Sequence, residues 1–425
     1  MEKAEFKKTI GLPQVIALNI GAVLGSGVLL VPGLAADIAG PASLIAWGLM
    51  ALLVLPMALV MGLLAAKFPS AGGVSTFVTN AFGPKAGSLI GWFFLMSVPI
   101  GAPVIAITGS GYLASAFGWE QNVRMFICIG MLLIGLIVNL LGMKVAGAIQ
   151  VAVVAAIVCV LLLTGFGSIP NIEAANFQPF MTGDWVSIGQ AAAILYWCFI
   201  GWEAISHLSA EFKDPKREAV RGVTYSAFLV GGLYFLTALA TVGTKSYGGS
   251  GSEVSLVLVV DKILGTGGAI VIGITAVFIC LATIIAYVGA ASRLAYSLAS
   301  SGDAPKILGI LSKKYQTPLG GLGFLTCCFV IVISVYWSGL VPLKTIIQFP
   351  NATFLLVYLG GCAAGIKLLK DTKGGVAISW LSFLLTAAVF PFVGWVVIYP
   401  IIIIAGFFLA KKMTGDKNSV QQHQA

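Results

Sequence analysis

Twelve long apolar runs take up almost the whole chain, at about 12–37, 41–66, 86–117, 121–143, 145–168, 186–210, 219–242, 264–299, 319–338, 341–366, 374–390 and 391–410. A helix needs roughly 20 apolar residues to cross the hydrocarbon core of a bilayer. Nearly every run reaches that length; the eleventh is short and almost fused to the twelfth. The polar stretches between runs stay under about 20 residues, too short to house a soluble domain. Charge points the same way: only 9% of the 425 residues are charged and 59% are hydrophobic, against roughly 25% charged in a soluble chain. With a mean hydropathy of +1.03, there is too little charge to coat a globule, and the uncoated surface is expected to face lipid. The expected fold class is an all-α polytopic membrane protein with about twelve transmembrane helices.

The first run follows the basic segment Met1–Lys8, as a signal peptide would. Its apolar stretch is too long for a cleaved leader and eleven more follow, so it reads as an uncleaved first helix. The net charge of +9 does not point to nucleic acid, because its placement is topological. With twelve spans and the N-terminus inside, all but four of the 24 Lys and Arg fall in inner segments, the exceptions being Arg124, Lys245, Lys262 and Lys344. That asymmetry puts both termini in the cytoplasm. The seven cysteines sit inside apolar runs without metal-ligand spacing and read as structural thiols. No cofactor or metal is expected, and oligomeric state is left open.

Two spans differ from the rest. The first carries Gly25-Ser26-Gly27 at its middle, before Pro32-Gly33, and the sixth carries Phe199-Ile200-Gly201-Trp202-Glu203. They lie five helices apart, an odd number, so a repeat of helices 1–5 and 6–10 would be inverted across the membrane. Paired glycine-interrupted spans in two halves point to a transporter's substrate site. Lipid cannot satisfy an unwound backbone, so such a stretch survives only where it lines a cavity. Freed N–H groups at a half-helix N-terminus suit a carboxylate, and freed carbonyls suit an ammonium group or a cation. Close helix packing is the other use of Gly-Ser-Gly.

Four stretches together resemble the amino acid–polyamine–organocation superfamily over essentially the whole chain: Gly25-Ser26-Gly27 with Pro32; Phe68-Pro69-Ser70-Ala71-Gly72-Gly73 with Ala81-Phe82-Gly83; Phe199–Glu203 with Glu211-Phe212-Lys213-Asp214-Pro215; and Ser292–Tyr296 with Gly302-Asp303-Ala304-Pro305. Within that superfamily the chain resembles the bacterial methionine and branched-chain amino acid exporters. The resemblance implies a LeuT-like fold of two inverted repeats, 12–168 and 186–366, with broken helices 1 and 6 and two further helices over 374–410. It also implies alternating access, export from the cytoplasm and a place in the bacterial inner membrane, with proton-coupled antiport as the expected mode. It assigns Gly25, Ser26 and Gly27 to the substrate carboxylate, and Phe199, Ile200 and Gly201 to the amino group. Trp197 is assigned to an aromatic gate, Tyr287 to a second cavity aromatic, and Ser97, Ala102 and Ile105 to side-chain contact. One departure is that helix five carries no mid-span lysine, as proton-coupled members do.

Ionisable groups inside a span are functional suspects. Glu203 and His207 lie four residues apart on one helix face. Glu203 is the candidate to carry or sense the coupling proton, with His207, the side chain type that titrates near neutrality, as its partner. The alternative is a structural acid that caps free N–H groups. Selectivity follows by elimination: a cationic substrate would want a second buried acid, and an acidic one a buried Arg or Lys. The site offers Val23, Ala102, Ile105, Trp197, Phe199 and Tyr287, which fit a neutral aliphatic or thioether side chain. An uptake permease of the same fold, an intramembrane enzyme and a passive channel are the competing readings. The enzyme lacks a His-Glu-x-x-His or a metal cluster, and a channel has no use for matched broken helices.

Overall fold

The computed structural model describes residues 11–68, 73–141, 146–203 and 214–409. Every regular element among them is helical: α1 (Leu12–Val23), α2 (Gly27–Ala39), α3 (Ser43–Lys67), α4 (Gly73–Phe82), α5 (Pro84–Phe117), α6 (Gln121–Leu141), α7 (Ala146–Gly167), α8 (Trp185–Leu195), α9 (Pro215–Gly243), α10 (Ser255–Ser300), α11 (Leu319–Trp337), α12 (Gln348–Leu368) and α13 (Gly375–Val389). A final helix, α14, covers 398–409. Helices are the expected outcome, because they satisfy their backbone groups within one segment.

Eight stretches among the described residues are long and apolar enough to cross a membrane. That number differs from the twelve predicted runs for identifiable reasons. Gly27–Lys67 and Gly375–Leu409 each count once although each turns back on itself. The first does so at Gly40, whose φ of 58° places it in the left-handed region, followed by Pro41, and the second at Gly394 with a φ of 72°. The runs at 145–168 and 186–210 enter as shorter apolar helices, Val154–Gly167 and Trp185–Phe199. The first belongs to α7, which begins at Ala146; in the second the helix stops early.

The outer surface matches this reading. Leu52, Phe126, Phe228, Phe278, Val330 and Ile331 are each more than half exposed and point away from the bundle. Apolar exposure on that scale marks a surface that meets lipid. Cys159 and Cys327 share it, while Cys128, Cys198, Cys280 and Cys362 are buried.

The core is organised by α5 and α10. The 34-residue α5 contains Pro99 and Pro103 and ends at left-handed Gly118, where the Trp119 N–H returns to the Ala114 carbonyl at 2.8 Å. This Schellman closure satisfies carbonyls that the helix end would otherwise orphan. Alongside runs α10, kinked at Gly265 (φ 66°). The two broken helices, α1–α2 and α8, pack beside them with α9 and α12, so the irregular backbone is surrounded by protein.

Candidate functional site

The first break falls where glycine is densest. α1 ends at Val23, and α2 starts at Gly27 with Ser26 as its N-cap. The Leu29 and Leu30 N–H groups return to the Ser26 carbonyl at 3.2 and 3.3 Å. The leading N–H groups of a helix, here those of Gly27 and Val28, have no acceptor within it. They stand at the positive end of a 13-residue helix, a setting that favours a carboxylate.

The second break begins as a tightening. After α8 the chain forms a 3₁₀ turn at Tyr196–Phe199, then extends at Ile200 (φ −78°, ψ 142°) and passes Gly201 at φ 126°. Only glycine adopts that last conformation without strain, and the helical ladder stops there. His207 lies outside the described residues.

The two breaks touch. A Cβ on Gly27 would fall 2.9 Å from the Cys198 Cα, so backbone meets backbone at a distance only glycine permits. Tyr234 of α9, fully buried, ties them together. Its hydroxyl lies 2.8 Å from the Val23 carbonyl and 3.0 Å from the Cys198 carbonyl. Nothing in the sequence around Tyr234 signals this role; it looks like any aromatic in a membrane helix.

Glu203 is 4% exposed. Its Oε2 accepts the Gly201 N–H at 2.9 Å and the hydroxyl of Tyr358 from α12, and that hydroxyl also accepts the Gly201 N–H at 3.1 Å. The carboxylate thus caps the unwound backbone, as the structural alternative requires. It also sits in the wall of a cavity, as a proton carrier must. The geometry serves both readings.

Between the breaks and α5 lies a cavity of about 30 Å³, room for a water or two. The structure brings most of the sequence-predicted residues to its wall. Val23, Gly25, Ser26 and Gly27 line it from the first break, and Trp197 and Ile200 from the second. Ser97, Ala102 and Ile105 line it from α5, and Tyr287 from α10. Two predicted residues stand apart. Phe199 is 1% exposed and packs edge-on against Trp47 and Tyr234, with ring centroids at 6.2 and 5.3 Å. Gly201 is engaged with Glu203 and Tyr358 instead. In the 3₁₀ turn residues i and i+3 eclipse, so Phe199 follows Tyr196 into the core rather than Trp197 into the cavity.

Four lining residues were not anticipated: Val98, Gly101, Thr283 and Phe354. Gly101 matters because a Cβ there would come within 3.1 Å of the Trp197 ring. Its bare backbone lets the indole lie across α5. Ser97 shares a 2.6 Å hydrogen bond with Thr353 and also donates to the Phe93 carbonyl, tying α5 to α12 at the cavity wall. No charged side chain is among the lining residues.

On the far side of Tyr287 and Phe354 lies a second, larger cavity of about 370 Å³, with Glu203 and Phe94 in its wall. Phe94 stacks on Tyr287 at 6.4 Å and meets Phe354 edge-on at 5.7 Å, and Tyr287 meets Phe354 edge-on at 6.5 Å. Three rings therefore separate the two spaces. At the opposite end, Arg124 of α6 pairs with Glu253 at 2.7 Å, and the Tyr336 hydroxyl of α11 reaches the same carboxylate oxygen at 3.3 Å. Glu253 belongs to a 3₁₀ segment, Gly249–Val254, whose Ser252 carbonyl presses on α2 so closely that a Cβ at Gly33 would clash with it. Among the described residues no three His, Cys, Asp or Glu gather as metal ligands would.

Comparison with known proteins gives consistent matches. A family model described as "Amino acid permease" matches residues 10–423. The chain is 35% identical over 420 residues to the uncharacterized amino acid permease YecA of Bacillus subtilis, covering 98% of each. It is 30% identical over 406 residues to the L-methionine/branched-chain amino acid exporter YjeH of Escherichia coli, covering 95% of this chain and 96% of that one. With the branched-chain amino acid permease BcaP of Bacillus subtilis it shares 25% identity over 386 residues, 86% of this chain and 81% of that one.

Proposed function

Because the chain belongs to the amino acid permease family of the amino acid–polyamine–organocation superfamily, a family of multi-pass membrane transporters and not enzymes, we propose that it exports neutral, hydrophobic amino acids from the cytoplasm by alternating access. Methionine, leucine, isoleucine and valine are the substrates in view, with protons as the coupling ion. The observation that carries this reading is the meeting of the two breaks over a cavity without a charged side chain. Helix N-terminal N–H groups face the space from one break and unwound backbone from the other. That is receptor chemistry for a zwitterion, and the apolar walls leave the side chain as the only selected part.

The proposed frame is a LeuT-like one of twelve spans in the bacterial inner membrane, both termini cytoplasmic, with inverted repeats over 12–168 and 186–366 and two added helices over 374–410. Gly25, Ser26 and Gly27 take the carboxylate; the backbone carbonyls of Phe199, Ile200 and Gly201 take the amino group. Trp197 and Tyr287 close over the substrate, and Ser97, Ala102 and Ile105 contact its side chain. Glu203 carries the proton, with His207 as its expected partner. Export rather than uptake is supported by similarity along nearly the full length to YjeH, an exporter by name. Uptake is the second reading, favoured by the two relatives named permeases.

The test is to express the protein in cells loaded with a methionine-containing dipeptide that is hydrolysed inside, and to follow methionine, leucine and arginine on both sides of the membrane. Faster appearance of methionine and leucine outside, but not arginine, is the expected result. Accumulation inside of added neutral amino acids would reverse the direction. Tight binding of arginine to the purified protein would overturn the substrate class.

A further inference from the structure

The stretch Ser292–Tyr296 contains an arginine that takes no part in the central cavity. Arg293 is exposed to the second cavity, whose wall also carries Glu203, Ser75 and Ser297. Its Nη1 donates to the Gly289 carbonyl of its own helix at 2.9 Å. A Cβ at Gly289 would come within 2.8 Å of that nitrogen, so glycine there lets the guanidinium fold back along α10. A guanidinium carries five N–H donors, and this bond uses one. Among the described residues no carboxylate lies within ion-pair distance of it.

The rest of that wall is apolar, formed by Val74, Ile90, Phe94, Leu294 and Val357. One acid and one base therefore face a space otherwise suited to hydrocarbon. Glu203 is already held by the Gly201 N–H and the Tyr358 hydroxyl; among the described residues Arg293 is the charge in this wall whose remaining donors a ligand would complete. An anion would meet Arg293 but be repelled by a charged Glu203, and a cation would meet the reverse. An acyl chain would answer neither. A zwitterion with an apolar side chain answers all three features, and about 370 Å³ lies within the range of small-molecule sites.

We infer that the second cavity is a separate binding station for the amino acid, with the Arg293 guanidinium holding its α-carboxylate. The ammonium faces the Glu203 side and the side chain rests on Ile90, Phe94 and Val357. The station rests on the reading of the chain as a neutral amino acid transporter, and adds a site to it. The three-ring barrier of Phe94, Tyr287 and Phe354 stands between the station and the central cavity, so the two sites fill in sequence.

Equilibrium dialysis of the purified protein with radiolabelled leucine tests this, using wild type, Arg293→Gln and Arg293→Lys. Wild type is expected to hold about two leucines per chain at saturation. Arg293→Gln should hold about one, with the remaining affinity unchanged, and Arg293→Lys should keep the second with weaker affinity. Unliganded thermal unfolding should match wild type, because Arg293 is exposed. In sided vesicles Arg293→Gln should raise KM about tenfold from the second-cavity side only, the loss of one charge-assisted hydrogen bond. One leucine per chain in wild type, or two in Arg293→Gln, overturns the station while leaving the transport reading intact. Leucine and methionine bound to neither protein would sink the substrate reading and the station with it. If Arg293→Gln fails to fold, the wild-type stoichiometry alone decides.

Discussion

Gly25 and Gly27 are two residues apart and have opposite tolerances. A Cβ at Gly25 would meet only the Thr283 side chain, at 3.6 Å, which is ordinary contact. At Gly27 it would meet the Cys198 backbone at 2.9 Å, and backbone cannot turn aside. Gly25→Ala is therefore expected to fold normally and bind more weakly, because its methyl enters the cavity. Gly27→Ala should lose about 1–3 kcal/mol of stability through overpacking and most of its transport. Thermal unfolding in detergent beside transport in vesicles would separate the two, and equal unfolding temperatures would contradict the backbone contact. Tyr234→Phe keeps the ring among Trp47 and Phe199 but removes the hydroxyl that the Val23 and Cys198 carbonyls share. The Val23 carbonyl keeps the Gly25 N–H at 2.8 Å, but the buried Cys198 carbonyl loses this donor, which costs about 1–3 kcal/mol, so both unfolding temperature and substrate affinity should fall. Glu203→Gln retains an acceptor for the Gly201 N–H but cannot exchange a proton. Transport by this variant should lose its dependence on pH while substrate still binds. A pH profile unchanged from wild type would reduce Glu203 to a cap.

The breaks were legible in the sequence because glycine clusters are chemically distinctive, and so were the positions that the resemblance assigned along α5. Tyr234, Thr283, Val98 and Phe354 were not, for a physical reason. In a soluble helix the buried face announces itself by contrast with a polar one. A membrane helix is apolar on both faces, because the lipid around it is as apolar as the core. Thr283 and Val271, on the same helix α10, look alike in sequence, yet one lines a cavity and the other is exposed. The inward turn of the Phe199 side chain was not legible either, because nothing in the sequence marks the turn that carries it as 3₁₀. At the level of elements the fold also predicts a barrier. Phe94, Tyr287 and Phe354 come from α5, α10 and α12, and each ring touches the other two. Phe94→Ala should open a path between the cavities. A cysteine placed at Ser97 should then react faster with a water-soluble thiol reagent from the second-cavity side, and an unchanged rate would mean that the other rings suffice.

Across the whole molecule the two ends differ. One end holds the larger cavity beyond the ring barrier; the other is tied by the half-buried Arg124–Glu253 pair, whose side chains are 15% and 20% exposed. The tie runs from α6 through Gly249–Val254 to α2, the element that must tilt if that end is to open. Removing one partner of a pair so shielded leaves the other charge uncompensated, and so costs more than breaking an exposed pair, worth roughly 0.2–1 kcal/mol. Arg124→Gln should therefore shift the population toward opening at that end, read as greater reagent access to a cysteine introduced at Ile105. The swapped pair, Arg124→Glu with Glu253→Arg, should restore part of the wild-type protection. No gain in access with Arg124→Gln would mean that Tyr336 and the Ser252–Gly33 contact hold the end without the charges.

A tyrosine hydroxyl carries a single proton, so Tyr234 serves the Val23 and Cys198 carbonyls in alternation rather than together. At every instant one of the two has a lone pair unanswered. While the segments stay face to face the difference averages out. When they part, the proton must go with one of them; the Val23 carbonyl keeps the Gly25 N–H at 2.8 Å in either case, whereas the Cys198 carbonyl can lose this donor. The hunger of that spot for a positive group is then set by the spacing of two stretches of backbone and by no side chain lining the cavity. Such a site can be retuned by substitutions far from it that alter only how the two halves rest on each other.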